Sequence, residues 1–118
     1  MTEAITLYHN PRCSKSRSAL ALLEERGLSP RIVEYLRTPP DRSEIAALVR
    51  KLGIPAEQLV RTGEAVFKES YAGRTLTDAQ WIDAMAEHPI LIERPIAVAG
   101  ERAVVGRPPE RVLELLGT

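Results

Sequence analysis

The order of strand-like and helix-like segments is the feature that most constrains the fold of this chain. Residues 4–8, AITLY, are β-branched and aromatic in the manner of a short strand. From Ser14 the apolar residues recur at helical spacing, and Gly27 offers a stop for that helix. Residues 31–35, RIVEY, then predict a second strand. The chain therefore begins with a strand, a helix and another strand.

The C-terminal part of the chain supplies the second half of a sheet. Residues 95–99, PIAVA, and residues 102–105, RAVV, are short apolar runs separated by a Gly-Glu pair that predicts a tight hairpin. The prolines at 108–109 start a final helix. A βαβ unit followed by a ββα unit builds a mixed four-stranded sheet with helices on both faces. We therefore predict an α/β protein with the thioredoxin-like fold.

The segment between the second strand and the hairpin is predicted to be helical. Asp41 precedes a helix as its N-cap, with Glu44 three residues later as in a capping box. Residues 55–88 are helical in pattern but interrupted, and Thr77 with Gln80 opens the last helix of this region. We interpret residues 55–88 as a helical insertion in the thioredoxin-like fold.

Length and charge exclude several classes of protein. The 118 residues suffice for one buried core, and we expect a single domain over residues 1–118. Sixteen basic residues balance sixteen acidic ones, so we expect no nucleic-acid partner, no membrane partner and a monomer. No apolar run approaches the roughly 18 residues of a membrane-spanning helix, and the N-terminus does not resemble a signal peptide. One cysteine cannot form an internal disulfide, which favours a cytoplasmic location.

That single cysteine, Cys13, is the candidate reactive group. A free cysteine is often a small buried core residue. Cys13 instead lies in a polar loop, HNPRCSKSR, at the predicted start of a helix, where free N–H groups and the helix dipole favour a thiolate. The neighbouring side chains able to support a thiolate by charge or hydrogen bonding are His9, Asn10, Arg12, Ser14, Lys15, Ser16 and Arg17.

The residues around Cys13 exclude several kinds of thiol chemistry. A redox dithiol needs C-x-x-C, but Ser16 stands where the second cysteine would be. A tyrosine-phosphatase loop needs an arginine where Ala19 stands. A metal site needs more ligands than one cysteine and the distant His9 and His88, so we expect no metal. A monothiol nucleophile remains, and any disulfide that it forms must involve an external thiol.

Five motifs, spread over nearly the whole chain, are found together in one known family. They are YHNPRCSKSR at 8–17, EYLRTPP at 34–40, LVR at 59–61, HPILIERPIAV at 88–98 and GRPPERVLE at 106–114. In this order and at these separations they resemble the glutaredoxin-coupled arsenate reductase family. The resemblance implies a thioredoxin-like fold and the reduction of arsenate to arsenite.

The resemblance also implies roles for the residues around the thiol. Cys13 matches the nucleophile that attacks arsenate and forms a thioarsenate ester. His9 matches a histidine near the thiolate that aids activity, and Ser16 matches a serine that helps to lower the thiol pKa. Asn10 and Arg17 are the expected supporting residues of the same loop.

Three arginines and a proline complete the site that the resemblance implies. Arg61, Arg94 and Arg107 match arginines that hold the oxyanion, and planar guanidinium groups bind such oxyanions through two parallel hydrogen bonds. Arg94 and Arg107 each precede a proline, which favours extended or turn backbone. Pro95 matches a cis-proline that lies beside the active cysteine in this fold.

The resemblance implies an external route for turnover. Glutathione is the expected co-substrate that attacks the arsenic adduct, glutaredoxin is the expected partner that resolves the mixed disulfide, and no bound cofactor is expected. Two alternatives stay open. Spx-type regulators share the fold and bind RNA polymerase, but they typically carry C-x-x-C. A monothiol glutaredoxin-like protein would handle glutathione or an iron–sulfur cluster. Ser16 and the three arginines favour the enzyme.

Overall fold

The secondary structure follows the predicted order, and the computed structural model describes residues 4–116. The strands are β1 (Ile5–His9), β2 (Arg31–Glu34), β3 (Ile96–Ala99) and β4 (Arg102–Val105). The α-helices are α1 (Ser14–Glu25), α2 (Arg42–Leu52), α3 (Ala65–Ser70) and α4 (Asp78–Glu87). Short 3₁₀-helices span Ala56–Leu59, Pro89–Leu91 and Pro109–Leu115, so the predicted final helix is a 3₁₀-helix. The chain divides into two compact units, one formed by the segments up to Thr38 and from Arg94 onward, the other by Pro39–Glu93.

The first unit is built on a four-stranded sheet with the strand order β2-β1-β3-β4. β1 pairs in parallel with β2 and antiparallel with β3, and β3 pairs antiparallel with β4. This arrangement confirms the predicted mixed sheet. The hairpin between β3 and β4 turns at Gly100, whose φ of 60° lies in the left-handed region that glycine enters without steric cost.

α1 and the C-terminal 3₁₀-helix contribute to the core of this unit together with the sheet. The core residues are Ile5, Leu7, Ala19, Leu23, Ala97, Ala99, Val112 and Leu115. Each large aliphatic side chain buried in this way contributes about 1.5–3 kcal/mol to the free energy of unfolding. All four residues of β3 are buried, and successive side chains of a strand point to opposite faces. Both faces of this central strand are therefore covered.

The second unit, Pro39–Glu93, contains the other helices. α2 begins at Asp41, whose side chain accepts a hydrogen bond from the Glu44 amide at 2.8 Å. α4 begins with a full capping box between Thr77 and Gln80. Both helix starts were predicted from the sequence. The segment predicted as an insertion lies within this unit, but the description of the chain as one domain with an insertion stays a prediction. No helix within residues 4–116 is long and apolar enough to cross a membrane.

The Thr77 cap gives a direct test of the α4 start. Thr77 Oγ1 accepts the Gln80 amide at 3.2 Å, so Thr77→Ala leaves that donor without its partner. We expect Thr77→Ala to lower the free energy of unfolding by about 1 kcal/mol in urea denaturation. Thr75→Ala is the matched control, since Thr75 is exposed and lies outside the helix. Equal losses in the two variants would contradict the capping role.

Candidate active site

The loop between β1 and α1 places Cys13 at the N-cap of α1. The Cys13 amide donates to the Asn10 carbonyl at 2.9 Å, and the Arg12 amide donates to Asn10 Oδ1 at 3.0 Å. Asn10 is buried, so its side chain and backbone together fix a tight turn ahead of the helix. Arg17 Nη1 donates to the Pro11 carbonyl at 2.9 Å. The structure thus places Asn10 in this loop, and Arg17, in the first turn of α1, contacts the loop through the Pro11 carbonyl.

The Ser16 hydroxyl lies in a buried cluster with His9 and Asn10. Ser16 Oγ is 2.7 Å from His9 Nδ1 and accepts the Asn10 amide at 3.0 Å. All three residues are buried. The resemblance implied that Ser16 lowers the thiol pKa, and the structure gives its hydroxyl these partners, while its backbone amide faces the sulfur. Ser16 therefore supports the thiolate through its main chain, and its side chain fixes the loop.

His9 is held as a neutral imidazole. Burial lowers the pKa of His9, the Glu34 carboxylate opposite it in the parallel β1–β2 pair raises it, and Arg17 lowers it, with a net pKa below the ordinary value. A neutral imidazole adds no positive charge to the site at pH 7. The contribution of His9 to the loop is consequently the contact of its Nδ1 with the Ser16 hydroxyl.

Opposing effects act on the Cys13 thiol. Partial burial would raise the pKa of Cys13, but the amides of Ser16 and Lys15 and the Arg94 guanidinium donate toward sulfur, and together they bring the pKa below its ordinary value. Within the described chain the Cys13 side chain makes no conventional N-cap hydrogen bond. The amides at the helix start therefore interact with its sulfur more weakly than in such a bond. The net effect enriches the thiolate, which is the nucleophilic form.

The pairing of β1 with β3 explains how Arg94 reaches Cys13. Tyr8 lies opposite Ile96 in this antiparallel pair, so the end of β1 adjoins the start of β3. Pro95, directly before β3, is fully buried, and the Arg94–Pro95 peptide bond is cis, as the resemblance implied. The Arg94 guanidinium lies close enough to the Cys13 sulfur to lower the pKa of that thiol. A residue 81 positions away in sequence is thereby brought to the sulfur.

Arg107 joins the same segment from β4. Its Nη1 donates to the Arg94 carbonyl at 3.0 Å, and the Gly106 amide donates to the Pro95 carbonyl at 2.8 Å. These contacts follow from the β3–β4 register, in which Ile96 lies opposite Val105. The structure therefore places Arg107 against the backbone that carries Arg94, the arginine that acts on Cys13.

Arg61 lies in the second unit, where it is paired with two carboxylates. Its Nε donates to Glu64 Oε2 at 3.0 Å and its Nη1 to Glu93 Oε1 at 2.5 Å. Burial would lower the pKa of Arg61, but the hydrogen bonds and charges of Glu64 and Glu93 raise it above the ordinary value, so the guanidinium stays charged. The backbone is fixed as well, since the Arg61 amide donates to the Leu91 carbonyl at 2.7 Å. The role of Arg61 in oxyanion binding stays a prediction.

The two carboxylates that hold Arg61 were not predicted from the sequence. Glu64 stands three residues after Arg61, a spacing at which opposite charges commonly pair, so a local signal existed. Glu93 is 32 residues away, and only the fold reveals that contact. Within residues 4–116 there is no group of three or more His, Cys, Asp or Glu side chains that could hold a metal ion.

Comparison with known proteins identifies the family. The model of the ArsC family matches residues 8–115. This chain belongs to the ArsC family. The uncharacterized protein YfgD of Escherichia coli (strain K12) is 47% identical over 119 residues, covering 99% of this chain and 100% of YfgD. The arsenate reductase of Neisseria meningitidis serogroup B is 46% identical over 114 residues, covering 95% of this chain and 97% of that protein.

A solved structure supports the same ArsC assignment at the level of the fold. The arsenate reductase from Vibrio cholerae superimposes with a TM-score of 0.93 at 45% sequence identity, and the match covers 98% of this chain and 99% of that one. Together with the family match, this confirms both the resemblance inferred from the five motifs and the thioredoxin-like fold.

The Arg94 contact predicts a measurable change in the thiol of this ArsC protein. Because Arg94 lowers the pKa of Cys13, Arg94→Ala should raise that pKa and slow alkylation at neutral pH. Iodoacetamide alkylation rates measured against pH will give the titration curve. Arg12→Ala is the matched control, since Arg12 adjoins Cys13 in sequence but its side chain is exposed. An unchanged curve in Arg94→Ala, or an equal shift in Arg12→Ala, would contradict this arrangement.

The buried Ser16 hydroxyl predicts a loss of stability. Ser16→Ala leaves the buried Asn10 amide and His9 Nδ1 without their partner, and an unsatisfied buried polar group costs about 1–3 kcal/mol. Thermal or urea unfolding will measure the loss. Ser18→Ala, on the exposed face of the same helix, should be near neutral. Since the Ser16 amide is retained, the Cys13 pKa should shift less in Ser16→Ala than in Arg94→Ala.

Proposed function

We propose that this protein reduces arsenate to arsenite, with Cys13 as the nucleophile, glutathione as co-substrate and glutaredoxin as the partner that restores the thiol. The observation that carries the proposal is the Cys13 sulfur at a helix start, with its pKa lowered by the Arg94 guanidinium, in a chain of the ArsC family. Relatives that this chain matches over 95% or more of its length are named arsenate reductases. The route needs reduced glutathione, so the proposed location is the cytoplasm.

Anion capture uses groups that already face the sulfur. The amides at the start of α1 and the Arg94 guanidinium offer directional donors to a tetrahedral oxyanion. Arg107 contributes charge beside Arg94 and fixes its backbone. Arg61 is the third arginine of the proposal, and it acts when an oxyanion replaces one of its carboxylate partners. The amides and Arg94 are in place before the substrate arrives, so they stabilise charge at little cost in reorganisation, whereas Arg61 must first exchange a carboxylate for the oxyanion.

The first chemical step forms a bond between sulfur and arsenic. The Cys13 thiolate attacks the arsenic atom of arsenate, one arsenic–oxygen bond breaks, and the departing oxygen leaves as water after taking up protons. Arsenic is still in its +5 state in the resulting thioarsenate ester. The lowered pKa of Cys13 favours this step, because it increases the fraction of thiolate at a given pH.

The reduction occurs when an external thiol reaches the adduct. Glutathione thiolate attacks the Cys13 sulfur, a disulfide bond forms, and the sulfur–arsenic bond breaks with its electron pair passing to arsenic. Arsenic is thereby reduced from +5 to +3 and leaves as arsenite. A glutaredoxin thiolate then attacks the glutathione sulfur and releases Cys13. Because Cys13 is the only cysteine of the sequence, no second thiol of this chain can carry out that step.

A coupled assay tests the proposal. Purified protein with arsenate, glutathione, glutaredoxin, glutathione reductase and NADPH should oxidise NADPH only when arsenate is present. Cys13→Ser should abolish this activity while retaining the fold, and intact mass should show one glutathione on the wild-type chain. Arg94→Lys and Arg107→Lys keep the charge but lose the forked geometry, so each should lower kcat/KM. Alanine at either position should lower kcat/KM further, by about ten- to a hundred-fold relative to the wild type.

Two controls separate the parts of the proposal. Arg26→Ala, at an exposed position just after α1, should leave the rate near that of the wild type. Replacing glutathione and glutaredoxin by thioredoxin and its reductase should stop turnover. Full activity with thioredoxin alone would remove the glutathione route but leave arsenate as the substrate. No arsenate-dependent oxidation above the Cys13→Ser level would overturn the proposed reaction itself.

A further inference from the structure

Gly106 follows β4 and lies against Pro95 with no room for a side chain. A Cβ atom at this position would be 2.8 Å from Pro95 Cγ and 2.9 Å from Val112 Cγ1, which is closer than real Cβ atoms come to such neighbours. The glycines with positive φ are elsewhere, namely Gly27, Gly53, Gly73 and Gly100. Glycine is therefore required at 106 by space and not by backbone conformation.

The neighbours of Gly106 have no freedom to move aside. Val112 is fully buried in the core of the first unit, and Pro95 is fully buried at the start of β3. The backbone of Gly106 is also hydrogen-bonded to Pro95, because its amide donates to the Pro95 carbonyl at 2.8 Å. An added methyl group at 106 would consequently push on Pro95, on Val112, or on both.

Displacement of Pro95 would move Arg94 relative to the Cys13 thiol. Pro95 is covalently joined to Arg94, whose guanidinium lies beside Cys13 and lowers its pKa. Arg107, the residue after Gly106, donates to the Arg94 carbonyl at 3.0 Å. The segment of Gly106 and Arg107 therefore contacts the segment of Arg94 and Pro95 through two hydrogen bonds and one close packing contact.

We propose that Gly106 is a positioning residue: its missing side chain lets the end of β4 pack directly on Pro95, and this contact holds Arg94 at the Cys13 sulfur. The geometric part stands on the fold, and only its consequence for turnover rests on the proposed function. A shift of a few tenths of an ångström at Pro95 is sufficient to change the distance and angle at which the Arg94 guanidinium meets the sulfur. Gly106 thus acts on the reaction through Arg94, without contact with substrate.

The test is Gly106→Ala, read by the alkylation rate of Cys13 with iodoacetamide as a function of pH. We expect the apparent thiol pKa to rise in the same direction as in Arg94→Ala, and kcat/KM in the arsenate assay to fall by about ten-fold. A double-mutant cycle makes the test specific. In the Arg94→Ala background, Gly106→Ala should add little further shift, because the interaction that it disturbs is already absent.

A control distinguishes positioning from a general loss of stability. Val112→Ala removes buried volume from the same core and lowers the melting temperature, but it introduces no contact with Pro95, so its thiol titration should match the wild type. If Gly106→Ala does not fold by circular dichroism, the double variant with Val112→Ala opens room beside the new methyl group. Its contact with Pro95 is retained, so the titration measured there should still be shifted.

The outcomes are separable. A folded Gly106→Ala protein with a wild-type titration curve, an equal shift in Val112→Ala, or full additivity with Arg94→Ala would each overturn the positioning role. The titration uses no arsenate, so it tests Gly106 whether or not the protein reduces arsenate. A shifted titration together with an inactive wild-type protein in the arsenate assay would refute the proposed function and retain the inference.

Discussion

The antiparallel pairing of β1 with β3 is the interaction on which the site depends. Tyr8 opposite Ile96 sets the loop of Cys13 beside the segment of Arg94, and no local feature of either segment could do so. This register is fixed by packing, because a slip by one residue would bring the larger Ile96 and Val98 to the core face that the small Ala97 and Ala99 occupy. Since all four residues of β3 are buried, such a slip would be costly. The core of the sheet therefore sets the distance between the thiol and its cation.

The second neighbour of β3, β4, also holds the segment of Arg94 and Pro95 at the start of β3. The pairing of β3 with β4 places Ile96 opposite Val105, so the residues that follow β4 return to the start of β3. There the Gly106 amide binds the Pro95 carbonyl and the Arg107 guanidinium binds the Arg94 carbonyl. The start of β3 is thus held from the β4 side by backbone and side chain together. Arginine side chains lose about 2 kcal/mol of rotamer freedom when fixed, and a rigid backbone avoids adding to that cost.

The local parts of this structure could be predicted from the sequence, and the non-local parts could not. The order of strands and helices, the caps at Asp41 and Thr77 and the helix start at Cys13 depend on neighbouring residues and are read directly from them. The approach of Arg94 to Cys13 was predicted only through the family resemblance, because it depends on strand pairing across some 80 residues. The space requirement at Gly106 has no sequence signal, because a glycine after a strand fits any loop equally well.

Side-chain direction was the other limit of prediction around the thiol. The type of residue at Ser16 indicated a hydrogen-bonding role, but whether its hydroxyl faces His9 or the sulfur depends on one rotamer. The buried position of Ser16 decides it, because the Asn10 amide beneath the loop needs an acceptor. The thiolate is then supported by Arg94 and by the amides of Ser16 and Lys15, which the helix presents at its first turn whatever their side chains are.

The two carboxylates beside Arg61 fix the position of its guanidinium but offset its positive charge. With Glu64 and Glu93 as partners, the cluster of three half-buried side chains carries a net negative charge, so as it stands it does not attract anions strongly. The two carboxylates do hold the long arginine side chain in one place. If Arg61 binds the oxyanion as proposed, the oxyanion must replace a carboxylate. A doubly charged tetrahedral anion with several oxygens competes better for a guanidinium than a singly charged one. The pairing would then favour arsenate-like dianions over small monoanions before any chemistry at Cys13 begins.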